Sequence, residues 1–136
     1  MPKKSGIGMT TFSVDDSGGV QRAIINDINS WSFATPRGIQ DVTGVDKSAL
    51  ERILLLADFS ITMNGTFNDT ATTGSHDVLK TIPSTSIARL ITMVVNAKTL
   101  APTCLLTDYP LDHSESGELT WKVPGVLSNG VVPTWA

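Results

Sequence analysis

The stretch Asp58–Asn68 limits what this chain can fold into more than any other. Phe59, Ile61, Met63, Gly65 and Phe67 alternate there with Asp58, Ser60, Thr62, Asn64, Thr66 and Asn68. Successive side chains of a strand point to opposite faces, so the segment has one apolar face and one small polar face. Asn64–Gly65 offers a competing reading, because Asn-Gly is the preferred two-residue hairpin turn. A turn there would put Thr66 and Asn68 on the face of Ile61 and Met63 and turn Phe67 outward. A straight strand keeps the apolar residues together, and that is the expectation. Its polar face carries amides, hydroxyls and the single acid Asp58. Such a face suits water or another subunit better than chemistry.

The remaining segments read as more strands. Thr11–Val14 alternates, with Phe12 and Val14 together, and Asp15–Gly19 supplies turn residues. Val20–Ile28 and Ser30–Ala34 read as strands with a break at Asn26–Asn29, and Thr35–Gly38 reads as a loop. Leu50, Ile53, Leu54 and Ala57 have helical spacing behind a Ser48–Glu51 capping box, which predicts a short helix within Asp46–Ala57. Leu55 also shares the parity of Phe59, which leaves an early strand start open. Thr70–Gly74 is a polar loop. Ser75–Lys80 reads as a second short helix with Ser75 as N-cap, Asp77 in the first turn and Pro83 beyond the end. Thr85–Val95 is apolar on both faces, which predicts cover on both sides. Arg89 falls on its Ile91 face. Leu100–Tyr109 is another strand, with Pro102 delaying its start. Pro110–Gly117 is a polar turn, and Glu118–Gly125 alternates Leu119, Trp121 and Val123 with Glu118, Thr120 and Lys122. Ser128–Gly130 is a turn before a tail that ends near Trp135. The expected architecture is mainly β: a β-sandwich or barrel of about six to seven strands with a short flanking α-helix. Residues 1–8 read as a flexible N-terminal arm and residues 9–136 as a single β domain.

Composition narrows the function. Charged residues are 17% of the 136, against roughly 25% in ordinary soluble domains. Hydroxyls take their place, with 13 Ser and 17 Thr. That profile fits either a β-rich chain or extensive subunit contact. The net charge of −3 leaves no basic footprint for gripping nucleic acid. A single cysteine, Cys104, excludes an internal disulfide framework and a multi-cysteine zinc site. No apolar run approaches the roughly 20 residues of a membrane span, and no signal-like stretch opens the chain, so a cytoplasm-like compartment is expected. The nucleophile elbow, the His-Glu-x-x-His helix, the phosphate loop and the EF-hand loop are all missing from the sequence. His76 reads as a solvated first-turn residue, and Asp112, His113 and Glu115 as a solvated turn. No enzyme activity, cofactor or metal is expected. A small hydrolase would have to draw on His76, His113 or Cys104.

The order of these segments resembles that of the major tail tube proteins of long-tailed bacteriophages. The resemblance is carried by the Thr11–Asp16 strand, the Asp41–Thr43 turn, Leu56–Asp69, the Ser75–Lys80 helix, Ser84–Thr92 and Gly117–Gly125. It implies a tail-tube-like β-sandwich that assembles into stacked hexameric rings forming a conduit for the genome. The partners would be the protein itself, other tail proteins (tape measure, tail terminator, distal tail) and DNA in passage, in a virion tail made in the host cytoplasm. The resemblance further implies an inter-subunit or ring-stacking loop over Arg37–Arg52, carried by Arg37, Asp41, Val42, Thr43, Asp46, Lys47, Glu51 and Arg52. It would also set Asp58, Ser60, Thr62, Asn64, Thr66 and Asn68 toward the lumen. The alternatives are a capsid decoration or head–tail connector protein and, less favoured by an aromatic content of 6%, a carbohydrate-binding β-sandwich module.

Overall fold

In the computed structural model, which describes residues 3–136, the chain lays down eleven strands and one short helix. In order they are β1 (Thr11–Asp15), β2 (Gln21–Ala23), β3 (Ile28–Ala34), β4 (Arg37–Asp41), β5 (Arg52–Ala57), β6 (Ser60–Thr66), α1 (Ser75–Leu79), β7 (Arg89–Val95), β8 (Lys98–Leu100), β9 (Thr103–Leu106), β10 (Leu111–His113) and β11 (Leu119–Leu127). The large sheet runs β2-β1-β7-β9-β11-β6-β3, with β8 beside β7 and β10 beside β11. All its strand pairs are antiparallel. β4 and β5 form a separate two-stranded sheet.

Asp58–Asn68 holds its alternation. Phe59, Ile61, Met63 and Gly65 are buried, and β6 runs straight through Asn64–Gly65, flanked by β3 and β11. The sheet curls so that its ends meet. β1 and β3 lie far apart along the pairing path, yet the Phe12 and Trp31 rings are 6.2 Å apart. Trp31, Phe33 and Phe59 continue the aromatic row at 5.7 and 5.4 Å. Inside the curl, Ile61, Met63, Ile91, Met93, Trp121 and Val123 form the core with Val78 and Leu79 of α1. The short β7–β8 connection uses Asn96 and Ala97 at positive φ, as a tight two-residue hairpin requires.

Several expectations are corrected. There are eleven strands rather than six or seven, because β2, β8 and β10 span three residues each, too few for alternation to register. The break after Val20 comes earlier than Asn26–Asn29, as a 3-10 turn at Ile25–Asp27. Thr35–Gly38 is only partly loop, since β4 begins at Arg37. The Asp46–Ala57 helix is absent: Arg52–Ala57 is strand β5 and the residues before it are loop. Ile53–Leu56 is an unbroken apolar run, which suits strand and helix equally, and pairing with β4 decided between them. Pro110–Gly117 contains β10. Of the expected N-terminal arm, Met1 and Pro2 lie outside the described residues. Gly6–Gly8 forms a 3-10 turn, and Asn96 Nδ2 donates to Ser5 O at 3.3 Å.

Other expectations hold. β9 starts after Pro102, and α1 covers Ser75–Leu79 with Asp77 in its first turn. Ser75, however, is the first helical residue and is buried; Gly74 holds the N-cap position. Arg89 is buried on β7 and donates to the carbonyls of Val78 (2.6 Å) and Asp15 (3.2 Å) and to Thr81 Oγ1 (2.8 Å). It ties the end of α1 to β1, and burial lowers its pKa.

Candidate subunit interface

Three features of the surface are built for contact, and the first is the β4–β5 hairpin. Its register sets Ile39 opposite Leu54, Gln40 opposite Ile53, and Asp41 opposite Arg52. Residues directly opposite share a face, and so do residues two apart in one strand. One face therefore carries Ile39, Leu54, Asp41 and Arg52, and the other carries Ile53 and Gln40. Ile39, Leu54 and Ile53 are 59%, 58% and 49% exposed. A two-stranded sheet is marginal in water without a packed face, and this one is bare and apolar on both.

Local bonds shape the hairpin from within. Arg37 spans the irregular step in its pairing, donating from Nε and Nη2 to Leu55 O at 3.1 and 3.0 Å. Thr43 closes the loop. Its N–H donates to Asp41 Oδ1 at 2.9 Å, and its hydroxyl accepts from the Glu51 N–H at 2.7 Å. The Thr43 hydroxyl, followed by its amide, holds the Asp41 carboxyl below its ordinary range. The hairpin thus gathers Arg37, Asp41, Val42, Thr43, Asp46, Lys47, Glu51 and Arg52 on one projecting element, and all but the half-buried Thr43 are exposed. The long loop expected over Arg37–Arg52 is shorter, because its two ends are strands.

The second feature is the outward face of the sheet. Across β3, β6 and β11 its rungs read Ser30–Asn64–Lys122, Ser32–Thr62–Pro124 and Ala34–Ser60–Val126. Thr66 stands opposite Thr120, which stands opposite Asp112 of β10. Leu105 of β9 extends the Val126 rung, so the face is polar at its Thr66 end and more apolar at its Ser60 end. Asn64 Nδ2 donates to Ser30 Oγ and Thr66 Oγ1 to Asn29 Oδ1, each at 3.2 Å. Lys122 and Asp112 are the charges along these rungs. Ser60, Thr62, Asn64 and Thr66 share this face as expected, with Asp58 exposed just before the strand. Asn68 does not join them. Its Nδ2 turns to the Asp27 carboxylate at 3.0 and 3.2 Å.

Asp27 belongs to the third feature, the joint that fixes α1 to the sheet. It accepts the Ser75 N–H at 2.9 Å, satisfying a helix-start amide from a 3-10 turn 48 residues earlier. Trp121 Nε1 donates to Thr66 O (3.0 Å) and Ser75 Oγ (3.2 Å). Gly65 lies under the Trp121 ring, and a Cβ there would stand 2.3 Å from Trp121 Cζ2 and 2.5 Å from Asp27 O. Sequence reasoning passed over Asp27. Its signal is weak, an acid in an otherwise strand-like run, and its partners are all distant in the chain. His76, expected to be solvated, is half-buried. Its ring lies 4.7 Å from the Phe67 ring, and its Nδ1 is 3.1 Å from Tyr109 Oη.

The groups a hydrolase would need have other settings. Cys104 sits in the core, where burial pushes its thiol up to about 11, and His113 is exposed on β10. Asp112, His113 and Glu115 are exposed, and the pleat of β10 sends Asp112 and His113 to opposite faces. Among the described residues, no group of three or more His, Cys, Asp or Glu could hold a metal ion. No described helix is long and apolar enough to cross a membrane.

No protein-family model matches the chain, and no curated protein matches it. Solved structures do. A chain in the tail of an empty gene transfer agent particle, refined with helical C6 symmetry, is similar with a TM-score of 0.78 at 15% identity, over 98% of this chain and 99% of that one. A chain of the native gene transfer agent virion is similar with a TM-score of 0.75 at 14% identity, over the same shares. Likeness over the whole length at such low identity is likeness of fold: the chain has the mainly β, tail-tube-like architecture found in those particles.

Proposed function

We propose that this protein is a structural virion subunit that assembles into stacked hexameric rings, forming a tail tube through which a genome passes. The observation that carries the reading is the end-to-end fold match to a chain of a C6-symmetric tail. The exposed hairpin adds physical support. An element apolar on both faces is unstable until something covers it, and a ring or stack of identical subunits supplies that cover at every copy. The expected ring-stacking residues Arg37, Asp41, Val42, Thr43, Asp46, Lys47, Glu51 and Arg52 would act together as this one contact. Joining the free edge of β3 to a neighbour's sheet would also remove an exposed edge.

The polar face of β6 fits the wall of such a conduit. Ser60, Thr62, Asn64 and Thr66 offer hydroxyls and amides and no charge. Lys122 adds one positive group per subunit, and the protein as a whole is acidic at −3. Tight DNA binding needs several neutralised phosphates, so a sparsely charged wall lets DNA slide. In this role the protein has no catalytic function and needs no cofactor.

Negative-stain microscopy of concentrated protein tests the reading. The expected result is hollow filaments with a regular axial repeat. Leu54→Asp should abolish them while leaving the soluble fold intact, because Leu54 is exposed in the isolated subunit. Protein that stays monomeric at high concentration and instead binds preformed capsids would overturn the reading in favour of a decoration protein.

A further inference from the structure

We propose that the hairpin of one copy seats in a cleft at the far end of the same sheet on the next copy along the axis. The inference rests on the stacked-ring reading and adds the receiving site. β3 ends at Ala34 and β6 begins at Ser60, so the hairpin leaves the sheet at its Ala34–Ser60 end. The cleft opens at the other end of β6, with a volume of about 620 Å³. Its floor is Asn64, Gly65 and Trp121, and its walls include Leu111, Thr120 and Lys122. β6 rises ~3.3 Å per residue, which separates the two features by roughly 20 Å.

Two properties match cleft to hairpin. The first is polarity. Leu111 is 46% exposed although β10 pairs it with buried Trp121, so the cleft has an uncovered apolar wall. The hairpin face with Ile39 and Leu54 supplies apolar side chains, and a cleft of this size falls in the range of roughly 300–1,000 Å³ that takes up several such groups. The second is charge. That hairpin face also carries Asp41 and Arg52, opposite each other. The cleft carries one charge of each sign, Lys122 and Asp112. Seating the hairpin brings Asp41 toward Lys122 and Arg52 toward Asp112.

Symmetry then follows from placement. Hairpin and cleft are different surfaces at opposite ends of one strand, so their contact is heterologous and head-to-tail. Such contacts build open stacks when the operator does not close. The hairpin's second face, with Ile53, remains for a neighbour within the receiving ring.

Cysteine pairs test this on assembled filaments. Leu54→Cys with Leu111→Cys, treated with a short bismaleimide, should give a denaturant-resistant ladder that continues past six subunits. Each single variant should give none, because Cys104 is buried and its thiol stays protonated. A ladder that stops at six would place the contact within a ring and overturn the proposal. So would filaments that form without cross-linking, and that result leaves the tube reading standing. A second variant covers a double mutant that fails to assemble. Thr120→Trp fills the cleft from the outward face, and should raise the critical concentration for filament growth by about tenfold, the equivalent of ~1.4 kcal/mol, while single rings persist. Unchanged filament growth by Thr120→Trp would overturn the seating. Wild-type protein that forms no filament at all would overturn both readings.

Discussion

Gly65→Ala is the sharpest test of how this sheet is built. The added Cβ would stand 2.3 Å from Trp121 Cζ2, 2.6 Å from Trp121 Cε2 and 2.5 Å from the Asp27 carbonyl oxygen. Ordinary carbon contacts lie at about 3.5–4.0 Å, so the methyl is more than an ångström too close on two sides. Neither side can yield cheaply. Trp121 is buried and its Nε1 is held by Thr66 O and Ser75 Oγ. The Asp27 backbone belongs to the turn whose carboxylate holds Asn68 and Ser75. Overpacking costs about 1–3 kcal/mol where a core can adjust, and this site sits at or above the top of that range. Ala orders in a strand at about 0.5–1 kcal/mol less cost than Gly, which offsets little. The expected net loss is about 2–3 kcal/mol out of the roughly 5–15 kcal/mol typical of a domain. For a chain of this length that corresponds to a melting point lower by about 6–10 °C. Urea unfolding of the dilute subunit, followed by near-ultraviolet dichroism of the tryptophans, measures it. Gly6→Ala, with no atom within 4 Å of its new Cβ, is the control and should change nothing. A loss below about 1 kcal/mol with an unaltered tryptophan signal would refute the reasoning, since that is the result expected of a glycine in an open hairpin turn.

Three further outcomes follow from the same geometry. Arg89→Met removes the donor to the carbonyls of Asp15 and Val78 and to Thr81 Oγ1, and should cost about 1–3 kcal/mol per stranded group in urea unfolding; Arg89→Lys should not restore the loss, because an ammonium cannot span three acceptors set for a guanidinium fork. Asp27→Ala unpins α1 by removing charge-assisted bonds to Asn68 and Ser75, and should cost about 2–4 kcal/mol, with faster amide hydrogen exchange at Ser75 as the local readout. Burial raises Tyr109 to about 12 and Cys104 to about 11, so the folded state resists ionisation that the unfolded chain accepts. Their contribution is whole below the unfolded values of about 8.5 for Cys and 10 for Tyr and is lost as pH rises through the folded ones, so the urea midpoint should fall between roughly pH 9 and 12, and Tyr109→Phe should flatten the upper part of that fall.

Where alternation was long enough, local sequence was sufficient. Phe59, Ile61 and Met63 in β6, and Trp121 and Val123 in β11, were legible because a period of two over seven or more residues leaves one reasonable face to bury. The Ser75–Leu79 helix was legible from its acidic first turn and the proline beyond it, but its cap was not. The amide of Ser75 is satisfied by Asp27, and no local pattern announces a partner 48 residues away. Ile53–Leu56 misled for a related reason. Four apolar residues in a row hold no periodicity, so only pairing across to Ile39 and Gln40 could make them a strand.

The candidate interface divides along the same line. Its chemistry was in the sequence: few charges, many hydroxyls and a blank polar face on Asp58–Asn68. Its shape was not. That the residues from Arg37 to Arg52 project as a hairpin with apolar groups on both faces, and that Gly65, Trp121, Leu111 and Lys122 meet at the far end of the sheet, depends on register between strands distant in the chain. By itself the sequence determined which face of each long strand would be apolar, because side-chain alternation is a property of one backbone. Only the tertiary structure decided which strands became neighbours, and so which surfaces were left uncovered, because hydrogen-bond register couples segments whose local patterns carry no information about one another.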